Sequence, residues 1–136
     1  MSEKTYQGSC HCGAVRFEVD LDLGSGSGKC NCTFCTKSRA WGAFAKPDAL
    51  RVLSGEDAQT GYRGGPETPS SHAFCRHCGV RTYERGHLEQ LGGDYVSIHL
   101  SSLDDVSIEA LVSGPVRYSN GRDNDWMNPP EDVRHL

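Results

Sequence analysis

No stretch of this chain approaches the roughly 18 consecutive apolar residues that a membrane-spanning helix needs, so a transmembrane protein is not expected. No apolar leader follows the first methionine, since MSEKTYQGS is polar, and the expectation is a cytoplasmic protein whose thiols stay reduced. There is no long basic run and no clustering of basic with aromatic residues. The 14 basic and 18 acidic residues give a formal charge of −4, so neither nucleic acid nor a membrane surface is an expected partner. Internal repeats are missing, as is any composition shift that would mark a second domain. Apolar residues are scarce too: 36% hydrophobic content and a mean hydropathy of −0.55 leave a thin core for 136 residues, enough for one domain. Sixteen glycines and six prolines imply many turns and short elements. A core of this kind gains from a metal staple that ties distant loops together.

Cysteine is what the chain does have. Seven residues fall into three tight groups: Cys10 and Cys12 in GSCHCGAV, Cys30, Cys32 and Cys35 in KCNCTFCTK, and Cys75 and Cys78 in FCRHCGV. An odd count would strand one thiol in a disulfide framework, whereas clustered thiols in a reducing compartment bind metal. Tetrahedral zinc takes four ligands at about 2.3 Å from sulfur, and C-x-C or C-x-x-C turns deliver two from one loop. Iron–sulfur ligation is the competing use of four thiolates, but the C-x-C pairs do not match the common ferredoxin spacings. Two zinc ions per chain are therefore expected.

The remaining pattern is mainly β. AVRFEVDL (residues 14–21) alternates, with Val15, Phe17, Val19 and Leu21 on one face. GSGSG (24–28) reads as a flexible turn, Trp41 to Ala45 as a second strand, and YVSIHL (95–100) as a third with Val96, Ile98 and Leu100 on one face. Val106 to Val112 reads as a short strand, and short helices are expected after Cys32 and near Ser102 to Asp105. Arg63 to Ser71 reads as an exposed loop. Residues 119–136 show no period and read as a tail, which Trp126 could pin to the domain. Gly13 and Gly79 follow cysteine pairs, where a metal-binding turn calls for positive φ.

The ligands can be divided in two ways. Cys10, Cys12, Cys75 and Cys78 can close one four-thiolate site across more than sixty residues, leaving Cys30, Cys32 and Cys35 as an open three-thiolate site. Alternatively Cys30, Cys32 and one pair form a single site. His11 and His77 stand between paired cysteines, where side chains point outward, and His72 is a candidate for an outer shell. Three thiolates leave Zn(II) with an excess negative charge, which weakens its pull on water and favours a soft thiol in the open position. Lys29, Lys37 and Arg39 would offset that charge and are candidates to hold a substrate carboxylate.

Read together, the ordered motifs resemble the glutathione-dependent formaldehyde-activating enzyme family, also called the GFA or CENP-V domain family. The match runs from GSCHCGAVRFEV through CNCTFCTKS and HAFCRHCG to SSLDD, a core of about 6–118 in a single domain of 1–136. The resemblance implies an Mss4-like fold of small antiparallel β-sheets stapled by zinc. It implies structural zinc at Cys10, Cys12, Cys75 and Cys78 and a catalytic zinc site at Cys30, Cys32 and Cys35. It also implies the family's named activity, adding glutathione to formaldehyde to give S-hydroxymethylglutathione, classed as a carbon–sulfur lyase. The expected function is thus a zinc-dependent carbon–sulfur lyase acting on an adduct of a carbonyl and a small thiol such as glutathione. The rival class is a non-enzymatic zinc module for protein interaction, which would have no use for an open zinc position. No residue presents itself as a dedicated general base, so proton transfer falls to solvent or to a histidine such as His72.

Overall fold

The computed structural model describes residues 3–62 and 72–136, and the expected loop at 63–71 lies outside them. Its first sheet is built around the most regular alternation in the chain. β2 (Arg16–Leu21) buries Phe17, Val19 and Leu21 and turns Arg16, Glu18 and Asp20 outward. It is the middle strand between β1 (Lys4–Ser9) and β5 (Leu50–Ser54), antiparallel to both. β1 carries a polar sequence, yet it buries Tyr6 and Gly8. Phe17 stands opposite Gly8 in the register, and its ring occupies the space that any side chain at that position would need.

The second sheet carries the candidate site. Its strand order is β10 (Val116–Ser119), β3 (Ser27–Cys30), β4 (Gly42–Ala45), β9 (Gly93–His99) and β8 (Tyr83–Leu88). β9 puts Val96 and Ile98 fully into the core, so Tyr95, Ser97 and His99 take the opposite face. Tyr83 joins the two sheets by packing edge-on against Phe17 at 5.6 Å. A third, two-stranded sheet pairs β6 (Gln59–Tyr62) with β7 (His72–Cys75). Mainly β topology in small sheets fits the expected Mss4-like fold.

Several expectations are corrected. One strand pair is parallel, because β10 returns to lie beside β3. The GSGSG segment is not simply a turn: Gly26 makes the bend with φ of 113°, and strand pairing starts at Ser27. Val106 to Val112 contains no strand. Ser107 accepts a hydrogen bond from the Ala110 amide at 3.1 Å and starts a helical turn, α2 (Ile108–Leu111). Ser102 to Asp105 is not helical beyond a single 3₁₀ turn at Leu100–Ser102. Its acidic residues serve β1 instead: Asp105 accepts from the Gln7 amide at 2.9 Å and Asp104 from the Ser9 hydroxyl at 2.7 Å. The helix expected after Cys32 is present as α1 (Thr33–Ser38). Gly13 and Gly79 have the expected positive φ, 82° and 78°.

Candidate metal centres and cleft

The first cysteine cluster joins two loops that are far apart in sequence. Cys10 and Cys12 follow β1, while Cys75 ends β7 and Cys78 lies in the turn beyond it. All four sulfurs lie within 4.8 Å of one another. Four sulfurs at about 2.3 Å from a tetrahedral zinc would be about 3.8 Å apart. Here Cys10 and Cys12 are 3.6 Å apart and Cys12 and Cys75 3.8 Å apart, so the donor set fits such an ion. Backbone amides support the sulfur charge: Val15 donates to Cys10 at 3.3 Å and His77 to Cys75 at 3.4 Å. Cys10 and Cys75 are buried against the core, so this cluster ties the first and third sheets together.

Cys30, Cys32 and Cys35 form the second cluster, again with sulfurs within 4.8 Å. Cys30 ends β3, Cys32 caps α1 and Cys35 sits inside that helix. Amides again face the sulfurs, Cys32 to Cys30 and Cys35 to Cys32, both at 3.3 Å. Among the described residues no fourth histidine, cysteine or carboxylate joins the group. The Cys35 thiol bonded to Cys30 helps hold the latter at about 5 against the effect of burial, and the same bond pushes Cys35 well up. Both clusters can therefore coordinate a metal. His11 and His77 are exposed and belong to neither.

A tail with no sequence period closes over this second cluster. Asn120 accepts a hydrogen bond from the Asn31 side chain at 3.0 Å, and Asn31 in turn accepts from the Arg122 amide at 3.0 Å. Arg122 also donates through Nε to the Asn31 carbonyl at 3.1 Å. Gly121 passes so close that a Cβ there would lie 2.6 Å from the Cys30 sulfur and 2.6 Å from the Trp126 ring. Trp126 packs within the tail, beside Gly121 and donating to Asn124, and stays half exposed; the bonds of Asn120 and Arg122 to Asn31 are what tie the tail to the domain.

Cys30 and Cys35 open onto a cleft of about 900 Å³. The second sheet contributes Gly28, Gly42, Tyr95, Ser97 and His99 to its lining, and the small residues leave room above the strands. Of the three candidate carboxylate-binding cations, Lys29 lines the cleft and lies 5.8 Å from the Trp41 ring centre. Arg39 lines a small neighbouring cavity and donates to the His135 carbonyl at 2.6 Å. Lys37, in the last turn of α1, lines neither cavity. Sequence reasoning missed Arg81, Glu84 and His99, which line the cleft with His72. Their signal was weak, one residue each on strands or turns that the spacing did not bring together.

Comparison with known proteins agrees with the motifs. Residues 5–115 match the family model described as glutathione-dependent formaldehyde-activating enzyme. A Halomonas elongata protein, provisionally named as such an enzyme, is 34% identical over 80 residues. The match covers 53% of this chain and 50% of the relative, so the chain spans about half the length of that curated protein. A crystal structure of a Rhodobacter sphaeroides protein superposes with a TM-score of 0.65 at 32% identity, covering 81% of this chain and 98% of the other. The two cysteine clusters sit within a fold and a sequence match that agree, and the chain belongs to the glutathione-dependent formaldehyde-activating enzyme (GFA/CENP-V) family.

Proposed function

We propose that this protein is a zinc-dependent carbon–sulfur lyase that joins a small thiol to a carbonyl carbon and catalyses the reverse cleavage. The observation that carries the reading is the three-cysteine cluster. Its sulfurs converge as metal ligands do, no fourth protein ligand is present among the described residues, and two of the three cysteines face a large cleft. In this reading Cys10, Cys12, Cys75 and Cys78 hold a structural zinc, and Cys30, Cys32 and Cys35 hold a second zinc at the site of reaction. The chemistry that zinc supplies in such a position is acidification of a bound thiol, so that thiolate is present at neutral pH.

The chain's own residues then have defined tasks. Lys29 offers a cation to a thiol that carries a carboxylate, with Arg39 and Lys37 at a greater remove. Trp41 narrows the cleft beside Lys29 and is fixed by its indole donating to Ser27 at 2.7 Å. The tail from Asn120 to Trp126 covers the cysteines on one side and restricts water there. Glutathione and formaldehyde, the pair in the family's name, are the proposed substrates.

Cobalt exchanged for zinc tests the reading. The cobalt protein is expected to show thiolate charge-transfer and tetrahedral d–d bands, and millimolar glutathione should shift both. A spectrum unchanged by glutathione and by other small thiols would refute direct thiol binding and favour the protein-interaction module.

A further inference from the structure

One wall of the cleft contains a buried charge cluster that neither set of cysteines uses. Glu84 is only 9% exposed and is met from three directions. Its Oε1 accepts from Arg81 and from His99 Nε2, the latter at 3.2 Å, and its Oε2 faces His72 Nδ1 at 3.3 Å. Burial opposes ionisation of Glu84, yet the bond from His99 and the nearby charges of Arg81 and His99 outweigh it, so its carboxyl titrates below the usual range. A buried ion pair is seldom a net gain over well-packed apolar residues, so stability is a poor reason for placing one here. All four side chains line the cleft onto which Cys30 and Cys35 open.

The cluster is also joined physically to the second cysteine group. The His72 ring stacks on Phe34 with centroids 3.8 Å apart, and Phe34 is the residue before Cys35 in α1. The Arg81 guanidinium lies 4.8 Å from the centre of the same Phe34 ring and donates to Ser38 at the end of α1 at 3.1 Å. His72 is therefore confined on every side that the structure describes. Phe34 lies against it from α1, Tyr62 from β6, Glu84 from β8 and, through Glu84, His99 from β9 and Arg81 from the preceding turn. Nδ1 is buried 3.3 Å from the Glu84 carboxylate without a hydrogen bond to it, so charge proximity orients the ring and Nε2 is the nitrogen left for a substrate.

We propose that His72 is the catalytic proton-transfer residue of the thiol–carbonyl reaction, with Glu84 as its positioning residue and Arg81 and His99 fixing Glu84. This rests on the reaction proposed above. In the forward direction His72 Nε2 takes the proton that the thiol gives up on becoming thiolate, and the sulfur then forms its bond to the carbonyl carbon. The π pair moves onto oxygen, and the imidazolium returns its proton there to give the hydroxyl. One S–H and one C=O π bond are lost, one C–S and one O–H are gained, and His72 ends as it began. Cleavage is the same path reversed.

The test compares wild type, His72→Gln and Glu84→Gln, each loaded with both metals, for adduct formation from glutathione and formaldehyde above the uncatalysed rate. His72→Gln is expected to lower kcat by about 100-fold or more. KM, metal content and glutathione binding to the cobalt form should stay within about threefold of wild type. Glu84→Gln should lower kcat by about tenfold. In nitrogen-detected NMR it should also shift the His72 tautomer balance away from the Nδ1-protonated form that a neighbouring Glu84 carboxylate favours. A His72→Gln kcat within threefold of wild type overturns the assignment, as does a loss confined to KM or metal content. Those results would leave the proposed reaction standing. If wild type itself shows no rate above background, the reaction fails and the assignment of His72 fails with it.

Discussion

Replacing Gly121 by alanine probes the contact between the tail and the second cysteine cluster. The glycine has no positive φ, so space rather than backbone conformation decides the outcome. The new Cβ would lie 2.6 Å from the Cys30 sulfur, about 1 Å inside ordinary contact. A metal-bound sulfur tolerates displacements of only about 0.2 Å. The Trp126 ring, also 2.6 Å from the added atom, can swing outward because it is half exposed, but the sulfur cannot follow without leaving its metal. Overpacking of this size costs about 1–3 kcal/mol, and moving the tail instead breaks the hydrogen bonds among Asn31, Asn120 and Arg122. Charged to the metal site, that cost is roughly a five- to 150-fold loss of affinity. Chelator competition followed by metal analysis reads it directly, and the four-cysteine site should be unaffected. Gly28→Ala is the control, since a Cβ there would meet nothing closer than 3.7 Å. If Gly121→Ala retains two metals with affinities within twofold of wild type, the argued contact between tail and sulfur is wrong.

Two further outcomes separate the roles of the clusters and of the surface charges. Cys78→Ser should lower the unfolding free energy by about 4 kcal/mol or more, whereas Cys32→Ser should leave the melting transition nearly in place while emptying the second site and abolishing turnover. Mild chelation of wild type should accordingly remove one metal well before the other, and equal losses would contradict the division. Asp20 is held down to about 2 by hydrogen bonds from Arg51 and then Thr5. A depressed carboxyl stabilises the fold above its ordinary range and loses that contribution as pH falls through about 2. Arg51→Ala should raise the Asp20 midpoint towards ordinary carboxylates in an NMR titration, and an unchanged midpoint would rule Arg51 out as the cause.

What could be read from sequence follows from how local each signal was. The alternation of Phe17, Val19 and Leu21 needs only one strand and one buried face, and β2 appears where the pattern put it. Cysteine pairs announce themselves because both members sit on one turn, and the two clusters came together as the four-plus-three spacing suggested. β1, β8 and β10 were missed because their burial depends on neighbours. Gly8 is buried under Phe17, and β10 finds its place only beside β3. α2 was misread because Val106, Ile108 and Val112 favour strands, while a single hydroxyl at Ser107 decided for a helix. The Glu84 cluster was illegible for another reason. Its members come from β7, the turn before β8, β8 and β9, and no spacing rule connects His72, Arg81, Glu84 and His99.

The parallel pairing of β3 with β10 sets an order on synthesis at the ribosome. Residues 27–30 emerge early, but their strand partner at 116–119 and the Gly121 turn that rests on Cys30 arrive almost ninety residues later. The four-cysteine cluster needs nothing beyond Cys78. A nascent chain can therefore fasten its first and third sheets while Cys30, Cys32 and Cys35 still lack their cover. During that interval Cys30, Cys32 and Cys35, a trio able to coordinate a metal, stand without the tail that later covers them, exposed to the surroundings before the finished fold can discriminate.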